Sequence, residues 1–202
     1  VIAIPKNWML YIPEGNLIEM HGTTVNMYPI YLEKGTWNNE VPKISIVQLK
    51  KVKKIFNNVI NCNNKQIEMA IDRLIRALVR DNKEDAFLDI LIGIEILLTD
   101  NEKTEVTYKL AIRISFIMNR LNKDIDYRKV LKDLYAYRSA IVHGSINKQK
   151  FSYSKYLNKS CYNIALDIFS KILKEIILDN KLITSKNIPL EIDNMIINSF
   201  VK

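Results

Sequence analysis

Between the polar pair Asp81-Asn82 and Thr99 the chain reads Ala86-Phe-Leu-Asp-Ile-Leu-Ile-Gly-Ile-Glu-Ile-Leu-Leu98, apolar on almost every side at a helical pitch. A helix from about Glu84 to Thr99 with that composition has no face to give to water, so it has to be the centre of a bundle. Glu95 lies inside the run, and a carboxylate in an apolar interior needs a cation or hydrogen-bond donors beside it. The same demand arises in the next predicted helix, about Lys103 to Leu121, where Arg113 interrupts Leu110-Ala-Ile-Arg-Ile-Ser-Phe-Ile-Met118. The economical expectation is a Glu95 to Arg113 pair with a purely structural meaning. Either residue is otherwise available to orient Arg138 or His143 farther along.

The flanking segments supply helices to surround that centre. Ile44, Ile46, Val47, Leu49, Val52, Ile55, Phe56 and Val59 recur at spacings of three and four and predict a buried stripe. Lys50, Lys51, Lys53 and Lys54 take the remaining face, as a solvated surface or as a contact for phosphates. A second helix begins near Lys65 with Ile67, Met69, Ala70, Leu74, Ile75, Ala77 and Leu78 as its core stripe. After Asp124 to Asp126 comes a helix with Val130, Leu131 and Leu134 inside, then a polar connector over 145–154, then a last long helix from about Tyr156 to Leu178. Residues 1–43 differ: they hold Pro5, Pro13, Pro29 and Pro42 of the five prolines and Gly15, Gly22 and Gly35 of the five glycines, a density that cuts a chain into turns and short strands. The predicted fold is therefore all-α, a bundle of five or more helices over 44–183, preceded by an irregular or strand-containing extension (1–43) and followed by a linker and short terminal helix (184–202).

Composition narrows the chemistry. Cys62 and Cys161 are the only cysteines, distant from each other and from any CxxC or Cys/His cluster, which predicts free thiols, no metal site and no cofactor. No uncharged apolar run reaches the eighteen or so residues that a membrane-spanning helix needs, and no secretory leader opens the chain, so the expectation is a cytoplasmic protein without a membrane partner. The chain opens on Val1 and not Met, as an excised domain or processed product would. A formal charge of +8 favours a polyanionic partner, although abundant Lys, Asn and Ile are also what an AT-rich genome yields.

One short stretch carries chemistry: Tyr135-Ala-Tyr-Arg-Ser-Ala-Ile-Val-His-Gly144. Arg is a permanent cation that grips phosphate oxygens, and His is the side chain that gives and takes a proton near neutral pH. From Arg138 to His143 a regular helix rises about 7.5 Å and turns the side chains about 140° apart. On an unbroken helix the two do not meet; they need a frayed end, a break or a second copy of the chain. The same residues also make an ordinary helix terminus, with His near the last carbonyls and Gly as the left-handed exit. His21, in the extension, carries no predicted role.

Four blocks, Asp72-Arg-Leu-Ile-Arg-Ala-Leu78, Asp85 to Leu98, Tyr108-Lys-Leu-Ala-Ile-Arg113 and Leu134 to Gly144, together resemble the HEPN superfamily, and within it the Apea-like group, over roughly residues 65 to 180. The resemblance implies a helical bundle that pairs as a homodimer through the Arg138/His143 face. It also implies a metal-independent endoribonuclease of the kind found in toxin–antitoxin and antiphage systems, with RNA as substrate and an antitoxin or upstream sensor domain as a further partner. It places Arg138 and His143 on the catalytic motif, matches Glu95 to an acidic position of the preceding helix, and leaves Arg113, Tyr135 and Ser139 in support. Ser139 departs from the Asn, Asp or His that many active members carry after the Arg. Other members of the superfamily serve as nucleotide-binding or interaction modules, which is the alternative expectation here. Lys148 and Lys150, in the connector after His143, are the predicted RNA contacts.

Overall fold

The computed structural model describes residues 45–100, 105–121 and 125–200. The predicted extension over 1–43 and His21 within it lie outside these. The described residues form an all-α bundle: α1 (Ile46–Ile60), α2 (Lys65–Val79), α3 (Lys83–Leu98), α4 (Val106–Asn119), α5 (Tyr127–Val142), α6 (Cys161–Leu178), α7 (Asn180–Thr184) and α8 (Ile188–Phe200). Most helices begin where the sequence supplies an oxygen for the unpaired N–H groups of the first turn. Ser45 and Gln48 make a reciprocal capping box on α1, and Asn64, Asn82, Asp126 and Ser160 cap α2, α3, α5 and α6. No helix in the described residues is long and apolar enough to cross a membrane.

The helix that is apolar all round is the centre, as its composition demands. Phe87, Ile90, Leu91, Ile94, Leu97 and Leu98 of α3 are buried, with α2 along one side and α6 along another. At Gly93 the ring of Phe169 on α6 lies directly against the backbone, so an added methyl would overlap it. Exchanging Gly for Ala in a helix normally gains up to about 1 kcal/mol. Here Phe169 is fully buried and cannot yield, and overpacking costs about 1–3 kcal/mol. Gly93→Ala is expected to lower the denaturation midpoint, and chemical denaturation of the two proteins checks the sign.

Two of the expected stripes are only partly buried. Of the apolar residues predicted to bury α1, Ile55 alone is in the core, with Val52 and Val59 half-buried; Ile46, Val47, Leu49 and Phe56 face solvent. The reason is geometric: among the described residues α1 packs chiefly on α6, and a single main neighbour covers only one side of a helix. On α2, Ile67, Ala70, Leu74 and Ala77 are buried, whereas Met69, Ile75 and Leu78 lie at the exposed margin.

The last long helix starts at Cys161 and not near Tyr156. Residues Tyr153–Ser154 (β1) and Lys159–Ser160 (β2) pair as a small antiparallel hairpin instead, turned at Asn158 with φ +49°. Ser154, fully buried, donates its hydroxyl to Asp133 at 2.6 Å and fixes this hairpin on α5. A 3-10 turn, Lys148–Phe151, fills the connector between α5 and β1.

The Glu95 to Arg113 pair does not form. Arg113 is buried on α4 and points to the C-terminal helix, where its Nε and Nη2 donate to the two oxygens of Asp193 at 2.8 and 2.6 Å. Its remaining donors reach the Leu98 carbonyl at 2.6 Å and Asp100 at 2.9 Å. Four of the five N–H donors of the guanidinium are used in this way, none of them on Glu95. The described part of the 184–202 segment, up to Phe200, is thus part of the bundle, since Ile188, Pro189 and Ile192 are buried with Asp193 beside them. A second buried charge, Asp89 on α3, is held by Arg73 of α2 and by Arg80 just past its end, at 2.7 and 2.5 Å.

Candidate active site at the end of α5

α5 runs unbroken to Val142 and stops in a regular way. Gly144, at φ +63°, sits just past the end. Its N–H donates to the Ile141 carbonyl and the Ser145 N–H to that of Ala140, the paired bonds of a Schellman terminus. His143 is the last residue before that turn, its N–H on the Ser139 carbonyl and its side chain exposed. A frayed end and a break are therefore ruled out as ways of bringing Arg138 to His143.

What the intact helix does is place both at the borders of one outward sector. Counting about 100° per residue, Val142, Tyr135 and Ser139 fall about 40°, 60° and 100° round from Arg138, and His143 about 140°. Leu134, Tyr137 and Ala140 occupy the opposite, buried side. Ser139 is exposed, and so are Val142 at 58% and Ile146 at 99%, which gives the sector an apolar fringe beside His143.

Arg138 is positioned without being used up. Its guanidinium lies 5.8 Å from the centre of the Tyr135 ring, and its Nε is 3.7 Å from Glu95 Oε1, close enough for attraction but not for a hydrogen bond. The Tyr135 hydroxyl donates to the same Glu95 oxygen at 2.8 Å. Burial above all, and then the adjacent Glu95 charge, pushes that phenol far above its ordinary pKa, so it stays protonated and keeps donating. The result is a half-exposed arginine backed by a ring and a carboxylate, with no hydrogen bond to any of its nitrogens among the described residues. Such a group is prepared for an oxyanion.

The two connector lysines separate. Lys148 is engaged by Glu84 at 2.6 Å, at the start of α3, whereas Lys150 is exposed with no ion pair among the described residues. Neither cysteine is suited to attack: burial pushes the Cys161 thiol up to about 11 and raises that of Cys62. A cavity of about 590 Å³ between the α1–α2 turn and α7 contains no residue of α5. Several of its amides already serve structure, Asn58 donating to the Ile177 carbonyl and Asn64 to that of Ser185.

Sequence reasoning missed Asp193 and Asp100 as the partners of Arg113, and it named Tyr135 without its hydrogen bond to Glu95. Comparison with family models, with curated proteins and with solved structures finds no match.

Proposed function

We propose that the protein is a metal-independent endoribonuclease of HEPN type, active as a homodimer that closes over the outward sector of α5, and that it serves in antiphage defence or a toxin system. The observation that carries this reading is Arg138, a partly exposed side chain placed by Tyr135 and Glu95 with no hydrogen bond to its nitrogens among the described residues, on the same helix sector as His143. Two copies meeting across Val142 would gather two guanidinium groups and two imidazoles in one cleft, which one copy cannot do. The exposed apolar fringe of Val142 and Ile146 is the kind of surface such a contact buries.

In the proposed reaction the 2′-hydroxyl of the substrate attacks the adjacent phosphorus and the bond to the 5′-oxygen breaks. His143 acts as general base or acid on the proton that leaves the 2′-oxygen or the one that reaches the departing 5′-oxygen. Arg138 stabilises the charge that builds on the nonbridging oxygens. The products are a 2′,3′-cyclic phosphate and a 5′-hydroxyl end. Because the nucleophile belongs to the substrate, no metal-bound water is required.

Incubation of the purified protein with RNA and EDTA, followed by end-group analysis, is expected to show undiminished cleavage and cyclic phosphate termini. Loss of cleavage on chelation refutes the metal-free scheme. Arg138→Ala is expected to slow cleavage on the order of a hundredfold or more, the usual loss when a charge-stabilising donor is removed. The close Glu95 charge favours a second reading, a dimerisation module that binds RNA or nucleotide without cutting it. Salt-sensitive RNA binding without products would select that one.

A further inference from the structure

The segment that leaves His143 doubles back along α5. Ser154 donates to Asp133 at 2.6 Å, and farther on the Tyr156 hydroxyl accepts from the Asp126 N–H at 3.2 Å, at the start of the helix. The connector thus runs antiparallel to α5 over most of its length, which is about 24 Å. Residues 145–160 hold four lysines and no acidic residue. Lys148 is engaged by Glu84, but Lys150, Lys155 and Lys159 are exposed and form no ion pair among the described residues. Between them stand Phe151 and Tyr153, 40% and 61% exposed. Open rings that alternate with unpaired lysines offer stacking faces and countercharges in turn.

The far end of this track is a cavity of about 560 Å³ between the hairpin and the starts of α5 and α6. Tyr127, Ile164 and Ile168 at its base are buried, and Tyr153, Lys159 and Asn163 at its rim are exposed. Asp167, also on the rim, is paired with Lys171 at 2.7 Å, which offsets its charge. An apolar base, an open ring, an amide that both donates and accepts, and a lysine suit a nucleobase and its phosphate.

We infer that the connector and this cavity bind single-stranded RNA, with bases stacked on Phe151 and Tyr153, one base seated in the cavity, and phosphates on Lys150, Lys155 and Lys159. The inference rests on the reading of the protein as one that acts on RNA, and it gives the substrate a path from the cavity to the His143 end of α5. Single-strandedness follows from the rings. In a duplex the bases stack on one another and their faces are not available to a protein.

The test measures binding of a 2′-O-methylated oligouridylate of about ten nucleotides to the full chain, by fluorescence anisotropy over a range of salt. This probe has no 2′-hydroxyl to attack, so binding is read whether or not the protein cuts RNA. Tyr153→Ala is expected to weaken binding about fivefold to hundredfold, the effect of losing one base–aromatic stack. Lys150→Gln, Lys155→Gln and Lys159→Gln combined are expected to lower the slope of log affinity against log salt by about two, at about 0.7 per phosphate contact. Lys51→Gln, Lys53→Gln and Lys54→Gln combined, the same loss of charge on α1, should leave both slope and affinity nearly unchanged. An equal loss from the α1 changes, unchanged binding by Tyr153→Ala, or tighter binding of a duplex overturns the inference and leaves the RNA reading in place. Unchanged affinity with an altered oligomeric mass assigns the connector to subunit contact and likewise overturns it. An unaltered protein that cuts RNA without holding the probe also overturns it, and one that does neither overturns the ribonuclease reading as well.

Discussion

Replacing His143 by alanine is expected to reduce RNA cleavage by about a hundredfold to ten-thousandfold, the usual range for loss of a positioned acid–base group. The same change should leave the fold intact. His143 is exposed, its side chain makes no hydrogen bond among the described residues, and α5 is ended by backbone bonds from Gly144 and Ser145, which alanine preserves. Surface exchanges of that kind shift stability by about 0.5 kcal/mol or less. Loss of cleavage at an unchanged melting temperature therefore separates a chemical role from a capping role. Cleavage equal to that of the unaltered protein removes His143 from the mechanism. A mixing experiment adds the dimer to the test. If the cleft needs Arg138 from one copy and His143 from the other, combining Arg138→Ala with His143→Ala chains should restore part of the activity that neither has alone.

How much of this was legible in the sequence depended on what each signal reports. The sequence of α3 reports its own environment, because a helix with no polar face can sit only in the middle, and it does. The stripe on α1 reports only amphipathicity. It could not say that α6 would cover the Ile55 side and leave Ile46, Leu49 and Phe56 outside, since covering is a property of neighbours. The Glu95 to Arg113 expectation failed for a related reason. Both charges interrupt apolar helices, which makes them each other's economical partner in the sequence, but Asp193 stands 80 positions away and arrives only when α8 folds back. Glu95 faces α5 instead, the other placement open to it, and there it meets Tyr135 and Arg138. At α5 local rules sufficed: the His-Gly ending fixed the terminus, and helical pitch fixed the angle between Arg138 and His143. That Arg138 would approach Glu95 without a hydrogen bond to it depends on a distance of 3.7 Å, which no pattern encodes.

The Arg113 cluster makes the largest stability prediction, and the two sides of it should not be equal. Arg113 is almost fully buried, whereas its carboxylate partners are partly open to water, Asp100 at 23% and Asp193 at 38% side-chain exposure. Removing Asp193 takes away two of the four hydrogen bonds of a buried guanidinium and leaves Asp100 as its carboxylate partner; losing a buried partner outright costs about 3–5 kcal/mol, and the retained Asp100 holds the loss to the lower end of that range. Removing the arginine, as Arg113→Met, leaves two carboxylates that water can reach and an apolar side chain of similar length in the cavity, together with one unpaired carbonyl at Leu98. That is a loss of about 1–3 kcal/mol. Asp193→Ala is therefore expected to be the more damaging change although it deletes the more exposed partner, and α8 should be where the damage appears. Urea denaturation of both variants, with amide exchange of α8 followed in parallel, checks the order. If Arg113→Met proves the worse of the two, the cluster stabilises the bundle through the four bonds of the guanidinium, two of them to α8, and not through the need to neutralise it.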